Sequence, residues 1–152
     1  MPGVFKMSAD RISLYGASNN PVWEVMCPIT AWDEVIDMTD DGSKIVNGYG
    51  EFIEVYEPAS STPVWTATLP GLAVRGVQIQ NDGLRIFVAA SVLATQDSSF
   101  IFAYTVGQST PDWEMAFPGN FTALVASRSG NRVLLGEYGS GINKLFVMDG
   151  SD

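Results

Sequence analysis

Histidine is absent from this 152-residue chain, and cysteine occurs once, as Cys27. The first absence removes the commonest general base and metal ligand, and with them every Ser-His-Asp or Cys-His nucleophilic arrangement. The second excludes an intrachain disulfide and a multi-cysteine metal centre. Cys27 itself reads as a small buried hydrophobe near a strand end. Basic residues are scarce too: eight Lys and Arg against 17 Asp and Glu give a formal net charge of −9. Nucleic acids and anionic membrane surfaces are held by clustered cations, so neither is expected as a partner. No apolar run approaches the roughly 20 residues of a membrane-spanning helix. The longest, Ile86 to Ala94, is short and carries β-branched residues. The opening MPGVFKMSAD lacks the charged start and apolar stretch of a signal peptide. Nor does any segment keep a 3.6-residue apolar period over about 11 residues, so no helix is expected.

What is present is a repeat. Hydrophobic residues make up 46% of the chain and aromatics 11%, a globular composition at a length that supports one domain with its own core. Phe52 to Trp65, FIEVYEPASSTPVW, has relatives in Arg11 to Trp23 and Phe100 to Trp113, and the end of the chain, KLFVMDGSD, is a truncated copy. Trp23, Trp65 and Trp113 are 42 and 48 residues apart. The turn glycines Gly42, Gly83 and Gly130 are 41 and 47 apart, and the strand-end residues Tyr15, Tyr56, Tyr104 and Met148 keep the same step. Independent landmarks that share one offset, with the same longer middle unit, define a true repeat.

Each unit reads as four strands. The tryptophan segment opens it and stops at Pro28, Pro70 or Pro118, where the missing amide hydrogen ends a ladder. A second strand leads to a tight turn at Asp41-Gly42, Asp82-Gly83 or Ser129-Gly130, where glycine supplies the positive φ of a hairpin. Two further strands follow, some with continuous apolar runs that imply burial on both faces. The predicted layout is a half unit at 3–16 and units at about 21–57, 63–105 and 111–149. Four-stranded repeats of about 40 to 50 residues with aromatic and glycine landmarks are the mark of β-propeller blades. The expected fold is therefore all-β, with about three and a half blades of four-stranded antiparallel sheet.

The element VYEPASSTPVW resembles the repeat of the quinoprotein-like (pyrroloquinoline-quinone-type) β-propellers, in which a strand-end tyrosine, a short polar loop and a tryptophan follow one another. DMTDDGSKIVNG and QIQNDGLRIFVA resemble the turn-plus-strand element that those propellers share with TolB-like and tryptophan-aspartate-repeat propellers. The resemblance covers nearly the whole chain and implies the fold. Asn20-Pro21, Thr62-Pro63 and Thr110-Pro111 replace the threonine-glycine turn usual in quinoprotein repeats, and nothing matches the cofactor-binding disulfide or calcium ligands of quinoprotein dehydrogenases. No cofactor is therefore expected.

Candidate site residues are those that break the repeat. Trp32 has no counterpart in the other units and is a candidate contact residue, whereas the recurring tryptophans are expected to pack between blades. Asp33 and Asp37 could line a channel. Measured against a calcium loop, Asp37, Asp41 and Gly42 match, but Thr39 and Gly48 fall where ligands are required, so no metal site is expected. The insertion at 92–99 (VLATQDSS), with Gln96 and Asp97, is a candidate contact loop between strands. Glu51, Glu54 and Glu57 read as a solvated outer edge. Asn120-Phe121-Thr122 has the glycosylation spacing, which carries meaning only in a secretory context.

No catalytic constellation emerges. The expectation is a non-enzymatic propeller module that binds protein or a small ligand. An incomplete arc exposes edges that pair with other chains, so the ring is expected to be completed by self-association, a dimer being favoured, or by the remainder of a longer propeller. The alternatives are part of a propeller enzyme with a carboxylate-lined channel and a purely structural or engineered assembly part.

Overall fold

A computed structural model describes residues 4–8, 11–15, 20–26, 35–95, 98–138 and 144–150. These form fourteen strands in four antiparallel sheets. Sheet I contains β1 (Val4–Ser8), β2 (Arg11–Tyr15) and β3 (Pro21–Met26). Sheet II contains β4 (Val35–Met38), β5 (Ile45–Tyr49), β6 (Phe52–Tyr56) and β7 (Trp65–Thr68). Sheet III contains β8 (Leu72–Ile79), β9 (Arg85–Val92), β10 (Ser98–Thr105) and β11 (Trp113–Pro118). Sheet IV contains β12 (Asn120–Ala126), β13 (Arg132–Tyr138) and β14 (Lys144–Asp149). Within each sheet the strands lie in chain order, the meander of a propeller blade.

The sheets cut the chain one strand later than the sequence suggests. Trp65 does not open a new sheet; β7 closes sheet II as its outermost strand, with Val55 opposite Trp65 and Phe52 opposite Thr68. The linker between β6 and β7 is short, and Val64 N–H donates to Val55 C=O at 2.7 Å, so the chain folds back as a hairpin before it can leave. It leaves after the tryptophan strand instead. Gly71 and Gly119, at φ 80° and 100°, bend the chain from the outer edge of one sheet to the inner strand of the next. Among the described residues, sheet I thus has no inner strand of the β4 type, and sheet IV no outer strand of the β7 type.

The turn between the first two strands of sheets II, III and IV is built three times alike. Gly42, Gly83 and Gly130 have φ of 68°, 68° and 69°. Each glycine N–H donates to the carbonyl three residues back, on Thr39, Gln80 or Ser127, at 2.7 to 2.9 Å. Asp41 and Asp82 accept the N–H two residues on, from Ser43 and Leu84, which fixes the turn from within.

Three apolar seams join the sheets. Between I and II, Ile12, Trp23 and Val25 meet Ile36, Ile45, Tyr49 and Tyr56. Between II and III, Val46, Ile53, Val55 and Trp65 meet Ile79, Ile86, Val88, Phe102 and Tyr104. Between III and IV, Phe87, Ile101 and Phe117 meet Leu124, Val133, Leu135 and Phe146. β5 is buried at every position and β9 at its six central ones, because a sheet lies against each face; that is why their apolar residues run on without alternation.

Each of the three repeat tryptophans faces the sheet that follows its own. The Trp23 ring lies 5.7 Å from Tyr56 and donates its indole N–H to Pro58 C=O at 2.9 Å. Trp65 repeats this on sheet III, 5.5 Å from Tyr104 and 2.9 Å from Gln108 C=O. Trp113 lies in the seam between sheets III and IV, its ring 6.2 Å from Phe87 of its own sheet, but its indole nitrogen is buried without a partner among the described residues.

Candidate functional site at the inner turns

The inner strands of sheets II to IV place equivalent residues side by side: Asp37, Gln78 and Val125 two positions before the turn, and Asp40, Asn81 and Arg128 within it. Side chains at the first position reach across the sheet gap. Asp37 Oδ2 accepts Ile79 N–H at 2.9 Å, and Gln78 Oε1 accepts Ala126 N–H at 3.4 Å. An inner strand is paired on one edge only, and these side chains satisfy the amides of its open edge. At the second position the turns join directly. Asn81 Oδ1 accepts Asp40 N–H at 2.7 Å, and Arg128 C=O accepts Asn81 N–H at 3.0 Å.

Arg128 carries the arrangement across three sheets. Its guanidinium lies 3.2 Å from Asp40 Oδ1 and 3.8 Å from Asp37 Oδ1, and donates to Met38 C=O at 3.2 Å. Asp37 is largely covered, while Asp40 and Arg128 are more than half exposed. The exposed pair is screened and adds little stability. It presents one cation and one carboxylate to solvent beside the turn. Asp41, at the tip of the first turn, has its pKa lowered to about 2 by hydrogen bonds from the Ser43 backbone and then from the Thr39 hydroxyl and the Ser43 side chain.

Of the sequence candidates, Asp37 belongs to this strap. Trp32, Asp33, Gln96 and Asp97, with Cys27, lie outside the described residues. Of the insertion at 92–99, the flanking residues are described. Val92, Ser98 and Ser99 lie within β9 and β10, and Ser91 pairs with Ser99. Glu54 also departs from the solvated edge expected of it. It is half-buried against sheet I and accepts hydrogen bonds from Tyr49 Oη and Tyr56 Oη. Among the described residues no group of three or more metal-ligating side chains comes together.

Sequence reasoning missed Gln78, Asn81 and Arg128, and took Ser99 only as the end of the 92–99 insertion. The first three occupy repeat positions whose residue type changes from unit to unit, so no motif marks them. Ser99 is buried, donates to Gly119 C=O at 2.7 Å and accepts Phe121 N–H at 3.1 Å, pinning the crossover into sheet IV.

No protein family and no curated protein matches the sequence. Solved structures match the fold. Hydrazine synthase from Kuenenia stuttgartiensis superposes with a TM-score of 0.77 at 11% identity, over 97% of this chain and 48% of that one. KlHsv2 with loop 6CD replaced by a Gly-Ser linker superposes at 0.70 and 12%, over 98% and 48%. Both are β-propeller-type proteins. The chain is thus similar to them in fold and spans about half the length of each.

Proposed function

We propose that this chain is a non-enzymatic β-propeller module that offers its turns and inner rim to a protein or small ligand and completes its ring by self-association. The observation that carries this reading is the use made of the inner-rim polar groups. Asp37, Gln78 and Asn81 are spent on backbone amides of neighbouring strands, as sheet connectors, and the groups left facing water are an ion pair suited to contact. Among propellers, the Tyr–loop–Trp element fits the quinoprotein-like repeat. Its tryptophan bridges to the next sheet's tyrosine and loop carbonyl, which is a packing role and brings no cofactor with it.

Two measurements test the reading. Native mass spectrometry or sedimentation of the purified chain yields an oligomer; a stable monomer overturns self-association. Incubation with glycoside and ester substrates yields no turnover; substantial hydrolysis overturns the non-enzymatic assignment. A second reading, one part of a longer propeller, is favoured by the 48% coverage of both structural neighbours. It predicts that the monomer gains stability when the chain is extended by further repeats.

A further inference from the structure

The two ends of the arc carry opposite halves of a contact that the chain already makes between its own sheets. On β14, Leu145 and Val147 occupy the positions of Ile12 and Leu14 in sheet I, Ile53 and Val55 in sheet II, and Ile101 and Ala103 in sheet III. Those six residues are 0 to 4% exposed, because each of those sheets is followed by another. Leu145 and Val147 are 69% and 63% exposed. Val125, 51% exposed, stands where Asp37 and Gln78 reach to the following sheet. The outward face of sheet IV therefore has the apolar character of an internal seam and, among the described residues, nothing packed against it.

At the other end, sheet I presents Tyr15 where Tyr56 and Tyr104 receive the tryptophan-bearing face of the preceding sheet. Its neighbours on that face are Ser13, Glu24 and Arg11, joined by a 3.0 Å hydrogen bond and a 3.5 Å ion pair. A mixed polar face of this kind is already used inside the chain. Sheet II meets the apolar face of sheet I with Tyr49, Tyr56 and Glu54, whose carboxylate takes both hydroxyls. The two ends thus match each other as sheet I matches sheet II.

We propose that the outward face of sheet IV docks head to tail on sheet I of a second copy, through Leu145, Val147 and Val125 against the Tyr15 face. The inference rests on the self-association reading and specifies its geometry. A head-to-tail contact closes a ring when both ends are used, and two copies supply about the length of either structural neighbour, since one copy covers 48% of each.

The test is the oligomeric state of the full chain and three variants, by analytical ultracentrifugation and native mass spectrometry. Wild type is a dimer. Leu145→Asp/Val147→Asp raises its dissociation constant roughly 100-fold or more, since two apolar side chains leave a buried contact, while far-UV circular dichroism stays unchanged because both side chains are exposed in the single chain. Tyr15→Asp does the same from the other face, and Glu24→Lys replaces it should Tyr15→Asp lose its fold. Each variant alone is monomeric, and a mixture of one from each face forms a 1:1 heterodimer through the remaining intact pair. A wild-type dimer indifferent to Leu145→Asp/Val147→Asp overturns this geometry and leaves self-association standing. A dimer abolished by Leu145→Asp/Val147→Asp but untouched by both Tyr15→Asp and Glu24→Lys shows a two-fold contact between identical faces and overturns it as well. A monomeric wild type overturns both readings.

Discussion

Asp37 and Ile79 meet across the gap between sheets II and III, the carboxylate Oδ2 accepting the backbone N–H at 2.9 Å. The amide lies on the open edge of an inner strand, so the side chain of one sheet completes the backbone of the next. Asp37→Leu removes the acceptor and leaves the N–H without a protein partner, at a cost of about 1–3 kcal/mol. Arg128→Ala, which removes the exposed ion pairs, costs less than about 1 kcal/mol. Urea titration of the two variants gives this order; equal losses would show that the strap acts mainly through charge.

Trp65 and Trp113 hold the same repeat position but differ in one hydrogen bond. Trp65→Phe loses the bond to Gln108 C=O as well as ring area, and is destabilised by about 1–2 kcal/mol more than Trp113→Phe. The Trp113 indole N–H has no partner among the described residues, so its removal brings relief that offsets the lost contacts. Thermal unfolding of the pair measures the difference, and an equal loss would mean that Trp113 has an acceptor.

The three turn glycines share a φ near +68° but differ in surroundings. Alanine at Gly42 meets open space and carries only the backbone penalty of about 1 kcal/mol. At Gly83 the new methyl meets Lys44 Cδ at 2.8 Å, the end of a flexible side chain that moves at small further cost. At Gly130 it collides with the Gln80 side chain of sheet III across the sheet gap, at Nε2, Cδ and Cγ alike. Stability falls in the order Gly42→Ala, Gly83→Ala, Gly130→Ala, read as successive drops in Tm.

Acid exposes the Asp41 turn. Its folded pKa of about 2 lies below the ordinary 3.8, so the ionised carboxylate stabilises the folded state above about pH 4, and that contribution is lost as the pH falls towards 2. Asp41→Asn takes this part of the pH dependence away. Stability curves of wild type and variant converge as the pH falls from 4 to 2; parallel curves would show that the Ser43 and Thr39 hydrogen bonds do not depend on the charge.

Gly48 shows how much of the packing hides from sequence. It sits in the continuous apolar strand β5, with an ordinary backbone, and its spacing marks no turn. A methyl there would lie 2.5 Å from Val74 Cγ1 and 2.9 Å from Val77 Cγ1, so Gly48→Ala overpacks the seam between sheets II and III and costs about 1–3 kcal/mol. Chemical denaturation of the variant checks this.

The sequence by itself determined the all-β class, the turn glycines and the strand count, because local signals carry them: a glycine that must take positive φ, a proline that ends a ladder, an apolar run too short for a helix. Tertiary structure alone decided which sheet each tryptophan strand joins, since hairpin closure depends on the linker between Tyr56 and Trp65 and not on the residues that look like a beginning. It also decided the inner-rim strap, where Asp37, Asn81 and Arg128 converge from three sheets at positions about 40 residues apart in the repeat, and the uncovered face of Leu145 and Val147. Those two residues look like any other buried pair in the sequence; only the sheet arrangement shows them exposed on the outward face of sheet IV.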